Sequence, residues 1–116
     1  MTANPSCIFC RIVTGELPAD FVYKDEEVVA FRDIHPRAPV HVLVIPTAHI
    51  DSLAQVRAEH QMLAGRLLQV VAEIARDLGV EERGYRTVIN TGPESGSEVA
   101  HLHLHVLAGR QMRAMG

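Results

Sequence analysis

Three histidines alternate with aliphatic residues in the segment His101-Leu-His-Leu-His-Val-Leu107. Two residues is the side-chain period of a β-strand, so the segment predicts a strand at 102–107 with all three imidazoles on one face. Neighbouring imidazoles on that face are roughly 6.6 Å apart at the Cα, which places His101 and His105 on the order of 13 Å apart. We therefore expect these two histidines to serve different sites. A solvated edge-strand face is the plainer alternative, but such a face would use Lys, Thr, Glu and Ser as readily.

The composition is that of one ordinary soluble domain. The chain has 116 residues, 47% of them hydrophobic and 22% charged, and we expect a single domain spanning residues 1–116. The net charge is −3 and the basic residues, with Lys24 the single lysine, are spread along the chain, which argues against a nucleic-acid partner. The longest apolar run, 42–45, is too short for a membrane span, and residues 1–6 lack secretory features, so we expect a cytoplasmic protein without membrane contact.

Hydrophobic periodicity predicts two helices and five strands. The helices span 7–14 and 58–78, and the strands span 21–24, 28–33, 41–45, 85–90 and 102–107. Ser6 is the expected cap of the first helix, and Gly79 follows the second as its stop. Helices and strands do not alternate strictly, which disfavours a doubly wound parallel fold. The order predicts an α+β fold with a mainly antiparallel sheet.

Cys7 and Cys10 are the two cysteines of the chain and form a C-x2-C pair. The spacing is too tight for an ordinary structural disulfide in a domain with an adequate core, which leaves metal ligation or redox chemistry. A thioredoxin-like redox pair follows a strand in a βαβ unit, whereas this pair opens the chain. The residue types favour half of a Cys2His2 zinc site, with His49 and His101 best placed by chain order to complete it. Two small half-buried side chains without a ligand are the alternative.

The connection 90–98 runs directly into the histidine segment and contains Gly92 and Gly96. Such a loop can aim backbone N–H groups at an anion, although a plain surface connection has the same composition. A neutral imidazole beside an anion site suits nucleophilic attack on phosphorus. The sequence contains no Walker loop and no G-x-S-x-G motif. The pattern thus indicates phosphorus chemistry on the histidine face.

Other candidate residues carry weaker signals. His41 opens the predicted central strand, where a hydrogen-bonded core histidine is the commoner role. Asp33 ends the preceding strand and would equally suit a turn cap. We interpret His35, in a loop, and His60, near the start of the long helix, as structural or solvent-facing.

Several segments together resemble the histidine-triad (HIT) superfamily, and in particular its Hint-like branch. The segment 101–107 is similar to the family signature, in which three histidines alternate with hydrophobic residues. The other matching segments are Cys7–Ile12, Ala30–Ile34, Pro36, Ala38–Pro39, His41–Pro46, His49–Ile50, Gly84–Arg86 and Gly109–Met112. The resemblance covers nearly the whole chain.

This resemblance implies a five-stranded antiparallel sheet with one short and one long helix. It also implies a homodimer whose two sheets join into one continuous ten-stranded sheet, with the long helix at the interface. The implied activity is attack at the α-phosphorus of a purine nucleotide through a nucleotidyl-histidine intermediate, with a nucleoside 5′-phosphoramidate as substrate and AMP as product. No organic cofactor is implied.

The resemblance further assigns roles to single residues. His103 would be the nucleophile, His105 would contact the phosphate and the departing group, and His41 would be a fourth histidine of the site. Asp33 would bind the ribose hydroxyls, and the phosphate contacts would come from Asn90, Gly96 and Ser97. In members that keep the cysteine pair, the ligands of a structural zinc ion would be Cys7, Cys10, His49 and His101.

The sequence departs from the Hint pattern after Gly96. Ser97 and Glu98 stand where the pattern has Gln and then Ser or Thr, so the hydroxyl that assists an amine leaving group is missing or shifted by one. The chain also lacks the Trp-Pro-Pro tail of animal relatives. Asn90 stands where the branch that cleaves dinucleoside polyphosphates tends to carry Gln. Hydrolysis of dinucleoside polyphosphates or nucleotidyl sulfates is an alternative reading, as is a nucleotide-binding module with little turnover.

Overall fold

In the computed structural model, which describes residues 4–96 and 99–115, five strands form one antiparallel sheet with a helix on each face. In chain order the elements are α1 (Ile8–Val13), β1 (Phe21–Lys24), β2 (Val28–Arg32), β3 (Val40–Pro46), α2 (Gln61–Asp77), β4 (Tyr85–Val88) and β5 (Leu104–Ala108). The strand order across the sheet is β1-β2-β3-β5-β4. The predicted α+β fold is confirmed.

Strand β3 lies at the centre of the sheet, between β2 and β5. Its alternate residues point to opposite faces, so that Val42 and Val44 pack on the α2 side while Leu43 and Ile45 pack on the α1 side. Burial on both faces explains the unbroken apolar run in this segment. The predicted strand 41–45 is confirmed and is one residue longer at each end.

Helix α2 presents buried aliphatic residues to the sheet at the three- and four-residue spacing that predicted it. These residues are Leu67, Val70, Val71 and Ile74. The predicted start at residue 58 is instead a separate 3-10 turn, Ala58–His60. His60 has the structural role we expected, because its Nδ1 accepts the backbone N–H of Arg57 at 2.8 Å. Among the described residues, no helix combines the length and the apolar character needed to cross a bilayer.

Helix α1 begins one residue later than predicted, and its cap is Cys7 rather than Ser6. The Cys7 Sγ accepts the backbone N–H of Cys10 at 3.4 Å. The Ser6 hydroxyl instead donates to Asn4 Oδ1 at 2.8 Å, which removes it from the helix end. The cap therefore holds the two cysteines side by side at the start of the helix.

Strand β5 begins at Leu104, two residues later than predicted. The backbone N–H of Leu102 donates to the Ile50 carbonyl at 2.6 Å, so the segment before β5 leaves the ladder with β3. The predicted strand 85–90 likewise ends at Val88, its last residue paired with β5. Side chains nevertheless alternate through this segment as predicted, with Leu102, Leu104 and Val106 in the core on the α2 side.

Candidate active site and metal centre

Two clusters containing histidine lie on the α1 side of the sheet. His101 belongs to a cluster with Cys7, Cys10 and His49, and His105 belongs to a cluster with Asp33 and His41. His103 lies with its ring 5.0 Å from the His105 ring. His101 and His105 therefore belong to different clusters, as the spacing argument predicted.

Four ligand-type side chains converge where α1 begins. The Cys10 Sγ lies 3.2 Å from His49 Nδ1 and 3.6 Å from His101 Nδ1, and the Cys7 Sγ lies 3.4 Å from His101 Nδ1. A tetrahedral zinc ion with its usual bond lengths separates its sulfur and nitrogen ligands by about 3.5 Å. The four ligand atoms all lie within 4.8 Å of one another, and they are close enough to hold one metal ion.

The outer nitrogen of each histidine in this cluster contacts an acceptor. His101 Nε2 lies 2.9 Å from the Pro46 carbonyl oxygen, and His49 Nε2 lies 2.6 Å from Asp51 Oδ1. Because these oxygens only accept, each Nε2 carries the proton and each Nδ1 lone pair faces the cysteines. Metal-binding histidines use this arrangement. Burial also lowers the pKa of His101, which favours the neutral ring that binds a metal.

A chain of hydrogen bonds with a fixed direction begins at Arg37. The backbone N–H of Arg37 donates to His41 Nδ1 at 3.0 Å, so the proton of neutral His41 is on Nε2. That Nε2 lies 2.9 Å from His105 Nδ1 and 3.4 Å from Asp33 Oδ2. His41 therefore donates to His105, and His105 carries its own proton on Nε2. His41 is buried and hydrogen-bonded, as the sequence predicted, but it also belongs to this chain.

Burial keeps this histidine pair neutral at pH 7. The pKa of His105 is lowered to about 4, first because burial disfavours the charged ring and then because His103 and His41 lie nearby. Burial also lowers the pKa of His41, and the Asp33 carboxylate opposes that effect. Since neither ring is charged, the direction of the chain is preserved and the Nε2–H of His105 is available as a donor.

His103 has one nitrogen fixed by the backbone. Its Nδ1 lies 2.6 Å from the carbonyl oxygen of His101, which can only accept, so Nδ1 carries the proton and Nε2 has the lone pair. The Phe9 ring contacts the imidazole edge to face, with ring centres 5.3 Å apart. His103 is thus a buried imidazole with a defined tautomer and one nucleophilic nitrogen.

A cavity of about 660 Å³ opens beside the histidines. The apolar part of its wall includes Ile8, Phe9, Ile12, Leu17, Phe31 and Leu43. The polar part includes Asp33, His41, Asn90, Ser95, Gly96, His103 and His105. A cavity of this volume with both kinds of wall fits a small molecule that has an apolar planar group and an anionic group.

Asn90 and Gly96 lie in the same loop on the wall of this cavity. The Asn90 Nδ2 donates to the Ser95 carbonyl at 2.8 Å, so this amide shapes the loop. Gly96 has a φ of +82°, a left-handed conformation that favours glycine. Ser97, which the family resemblance places at the phosphate, and Glu98 lie outside the described residues. The loop therefore brings Asn90 and Gly96 to the cavity that His103 lines.

The turn after β5 holds the loop that carries Arg37. Gly109 has a φ of +97°, and a Cβ added there would lie 2.8 Å from the Pro39 Cβ, so only glycine permits this approach. The Arg110 Nη2 donates to the Arg37 carbonyl at 3.0 Å. Both backbone groups of Arg37 are thus engaged. His35, in the same loop, is exposed as predicted.

Three chemical groups that belong to these sites were not predicted from the sequence. They are the backbone N–H of Arg37, the ring of Phe9 and the carboxylate of Asp51. A carboxylate two residues after a candidate ligand histidine was an available signal for Asp51. The Arg37 N–H gave none, because every residue except proline offers that donor.

Comparisons with known proteins agree with this geometry. The sequence matches the HIT domain family over residues 14–112. It is 54% identical over 105 residues to an uncharacterized HIT-like protein of Synechococcus elongatus, a match that covers 90% of this chain and 91% of that protein. It is 46% identical over 108 residues to the purine nucleoside phosphoramidase of Escherichia coli, covering 93% of this chain and 91% of that enzyme.

Solved structures show the same architecture. A HIT family hydrolase from Legionella pneumophila superposes with a TM-score of 0.92 at 44% identity, covering 93% of this chain and 96% of that one. A histidine triad protein from Clostridium difficile superposes with a TM-score of 0.94 at 39% identity, covering 97% of this chain and 98% of that one. The five-stranded sheet, the short helix and the long helix are therefore shared with these proteins.

Proposed function

The chain belongs to the HIT domain family, and we propose from this premise that it hydrolyses purine nucleoside 5′-phosphoramidates at the α-phosphorus and releases AMP. The observation that carries the proposal is the tautomer of His103, whose Nδ1 proton is held by a carbonyl and whose Nε2 has a lone pair beside a substrate-sized cavity. The 46% identical relative named purine nucleoside phosphoramidase supports the choice of substrate.

The cavity wall suggests how the nucleotide would bind. The purine would pack on the apolar part of the wall, beside Phe31 and Leu43. Asp33 would accept hydrogen bonds from the ribose hydroxyls, since it lines the same cavity as Phe31 and Leu43. The phosphate would lie beside His103 and His105, with the backbone of Gly96, the amide of Asn90 and the hydroxyl of Ser97 around it.

The first chemical step would be attack of His103 Nε2 on the α-phosphorus. A phosphorus–nitrogen bond forms to the imidazole, and the bond from phosphorus to the leaving amine breaks. The departing nitrogen takes the proton from His105 Nε2, and His105 Nδ1 can regain a proton from His41 Nε2 because the hydrogen-bond chain already points that way. The pair is then one proton short, and its negative charge is balanced by the positive charge that forms on nucleotidyl-His103. The charge on nucleotidyl-His103 is stabilised by the His101 carbonyl at Nδ1.

The second step would be hydrolysis of the nucleotidyl-histidine. Water attacks phosphorus, the bond to His103 Nε2 breaks, and one water proton returns to the His41–His105 pair while the remaining O–H stays on AMP. The pair is thereby restored to its starting protonation state.

We further propose that Cys7, Cys10, His49 and His101 hold a structural zinc ion. The sulfur-to-nitrogen distances and the direction of both histidine protons support this assignment. Four protein ligands would leave no open coordination position, so the ion would supply stability and no catalytic chemistry. It would tie the start of α1 to residue 49 and to the histidine segment.

The remaining expectations also stay proposals. We propose that residues 1–116 form one HIT domain that works in the cytoplasm, where the free thiols of Cys7 and Cys10 would remain reduced. We propose a homodimer with a ten-stranded sheet joined through edge strand β4, because Met62 and Leu68 of α2 and Tyr85 of β4 expose apolar surface. Light scattering that gives a monomer at micromolar concentration would reject the dimer.

A panel of substrates tests the proposed reaction. The panel contains an adenosine 5′-phosphoramidate, a diadenosine polyphosphate and adenosine 5′-phosphosulfate, and AMP release is measured for each. We expect the phosphoramidate to have the highest kcat/KM. A higher value for either other substrate would transfer the proposal to that class, and tight AMP binding without any turnover would make the protein a binding module.

A further inference from the structure

Arg37 has a side chain that the reaction described above does not use. The residue lines the cavity together with Asp33, His41 and His105. Its backbone N–H is bound to His41 and its carbonyl to Arg110, at 3.0 Å in each case. These two bonds fix the backbone of Arg37 next to the His41–His105 pair. The residue itself is exposed.

The positive charge of Arg37 has no carboxylate partner within ion-pair distance in residues 4–96 and 99–115. Arg32, which also lines the cavity, differs in this respect because its Nε lies 3.4 Å from Asp20 Oδ2. The charge of Arg37 nevertheless acts on the site, since it is one of the causes that lower the pKa values of His41 and His105. A cation at a cavity wall that pairs with no carboxylate of the described residues favours an anion in the ligand.

The α-phosphate already has its own partners in the proposed reaction, which are the histidines and the 90–96 loop. Arg37 lines the same cavity as His105 and its charge acts on that ring, and His105 is the residue that would protonate the departing group. Arg37 could therefore bind a second anionic group, one that is carried by the departing part of the substrate.

We propose that Arg37 binds an anionic group on the leaving part of the substrate, so that the protein prefers nucleotide conjugates whose leaving group carries a carboxylate or a phosphate. The inference rests on the proposed function for its catalytic consequence. It does not require any contact of Arg37 with the α-phosphate.

Two matched substrates test this preference. They are the adenosine 5′-phosphoramidates of β-alanine, which carries a carboxylate, and of β-alanine amide, which is neutral. For the charged substrate we expect Arg37→Gln to have a kcat/KM about three- to tenfold lower than that of wild type. For the neutral substrate the two proteins should have nearly the same kcat/KM. The ratio of the two substrates at one pH cancels any effect of the variant on the histidine pKa values.

Two further variants control for charge and position. Arg37→Lys retains the charge and should recover at least part of the ratio, whereas Arg32→Gln removes a neighbouring paired arginine and should leave the ratio at its wild-type value. A ratio unchanged in Arg37→Gln would overturn the inference. Equal losses for both substrates would also overturn it, because Arg37 would then act on a part that the two share.

A binding measurement separates this inference from the proposed reaction. Calorimetry with AMP and ADP needs no turnover, and ADP adds one phosphate where the leaving group would lie. We expect Arg37→Gln to weaken ADP binding about three- to tenfold and AMP binding by less than twofold. If wild type hydrolyses neither conjugate, the proposed reaction fails and the binding comparison alone decides the role of Arg37. An equal effect of Arg37→Gln on AMP and ADP binding would overturn the inference.

Discussion

The cysteine–histidine cluster and the His41–His105 pair differ in which imidazole nitrogen carries the proton. At His49 and His101 an oxygen accepts from the outer nitrogen, and the lone pair faces the cluster. At His41 a backbone N–H donates to the outer nitrogen, and a proton faces the cluster. Asp33, His41 and His105 lie as close together as metal ligands do, yet this proton occupies the position that a metal would need. We therefore expect the direction of the outer hydrogen bond, rather than the distance between side chains, to distinguish a metal site from a proton relay.

Removing the nucleophile is the change with the largest expected effect. The variant His103→Ala should lower kcat for AMP release from an adenosine phosphoramidate by about a thousandfold or more, since covalent attack is lost. Its zinc content should stay at about one ion per chain, because His103 contributes no ligand. Turnover near the wild-type rate would contradict the proposed nucleophile.

Removing a proposed metal ligand should lower metal content and stability more than activity. The variant Cys10→Ser should lose bound zinc and lower the Tm by on the order of 10 °C, because metal binding contributes to folding stability. The activity of its folded fraction should fall much less than that of His103→Ala. A chelator should lower the Tm of wild type but not that of the variant. Metal-free wild type, purified without chelators, would reject the site.

A smaller effect is expected at the outer hydrogen bond of the metal cluster. The variant Asp51→Asn should weaken zinc binding by about 10- to 100-fold, because the neutral amide is a poorer acceptor for the His49 Nε2–H. Competition with a chromophoric chelator measures this affinity. Asp20→Asn, which changes an exposed carboxylate paired with Arg32, is the matched control and should bind zinc normally. Identical affinities in the two variants would remove Asp51 from the site.

The smallest effect is expected in the pH dependence of stability. His105 has a pKa of about 4 in the folded chain and about 6.5 when unfolded, so the unfolded chain binds more protons between these values. Stability should therefore decrease as the pH falls from about 7 to about 4. Thermal unfolding should show a shallower decrease for His105→Gln than for wild type. Because acid also releases metal from both proteins, only the difference between the slopes counts, and equal slopes would contradict the low pKa.

Local patterns predicted much of the fold, and long-range pairing explains the remainder. The alternation at 101–107 and the aliphatic spacing in α2 identified their elements because the periods of strand and helix are local properties. The insertion of β5 between β3 and β4 depends on pairing between distant segments, which no local period encodes. The early end of the β3–β5 ladder likewise follows from the Leu102 bond to Ile50.

The candidate sites divide in the same way. Residue type and order predicted the Cys7–Cys10 pair as candidate ligands and a face of three histidines, and the family resemblance singled out His103 among the three. The assignment of protons was not, because it depends on a backbone N–H at Arg37 and on carbonyls at Pro46 and His101. These groups are common to nearly all residues, and only the folded path of the chain shows which of them is used.

His101 takes part in both clusters, since its side chain lies with the cysteines while its carbonyl oxygen fixes the proton of His103. A one-residue insertion or deletion between His101 and His105 would turn alternate side chains to the opposite face. It would thus misplace the proposed metal ligand and the proposed nucleophile in a single event. Both clusters therefore constrain the length of this five-residue segment, and insertions or deletions are easier to accommodate in the exposed loops.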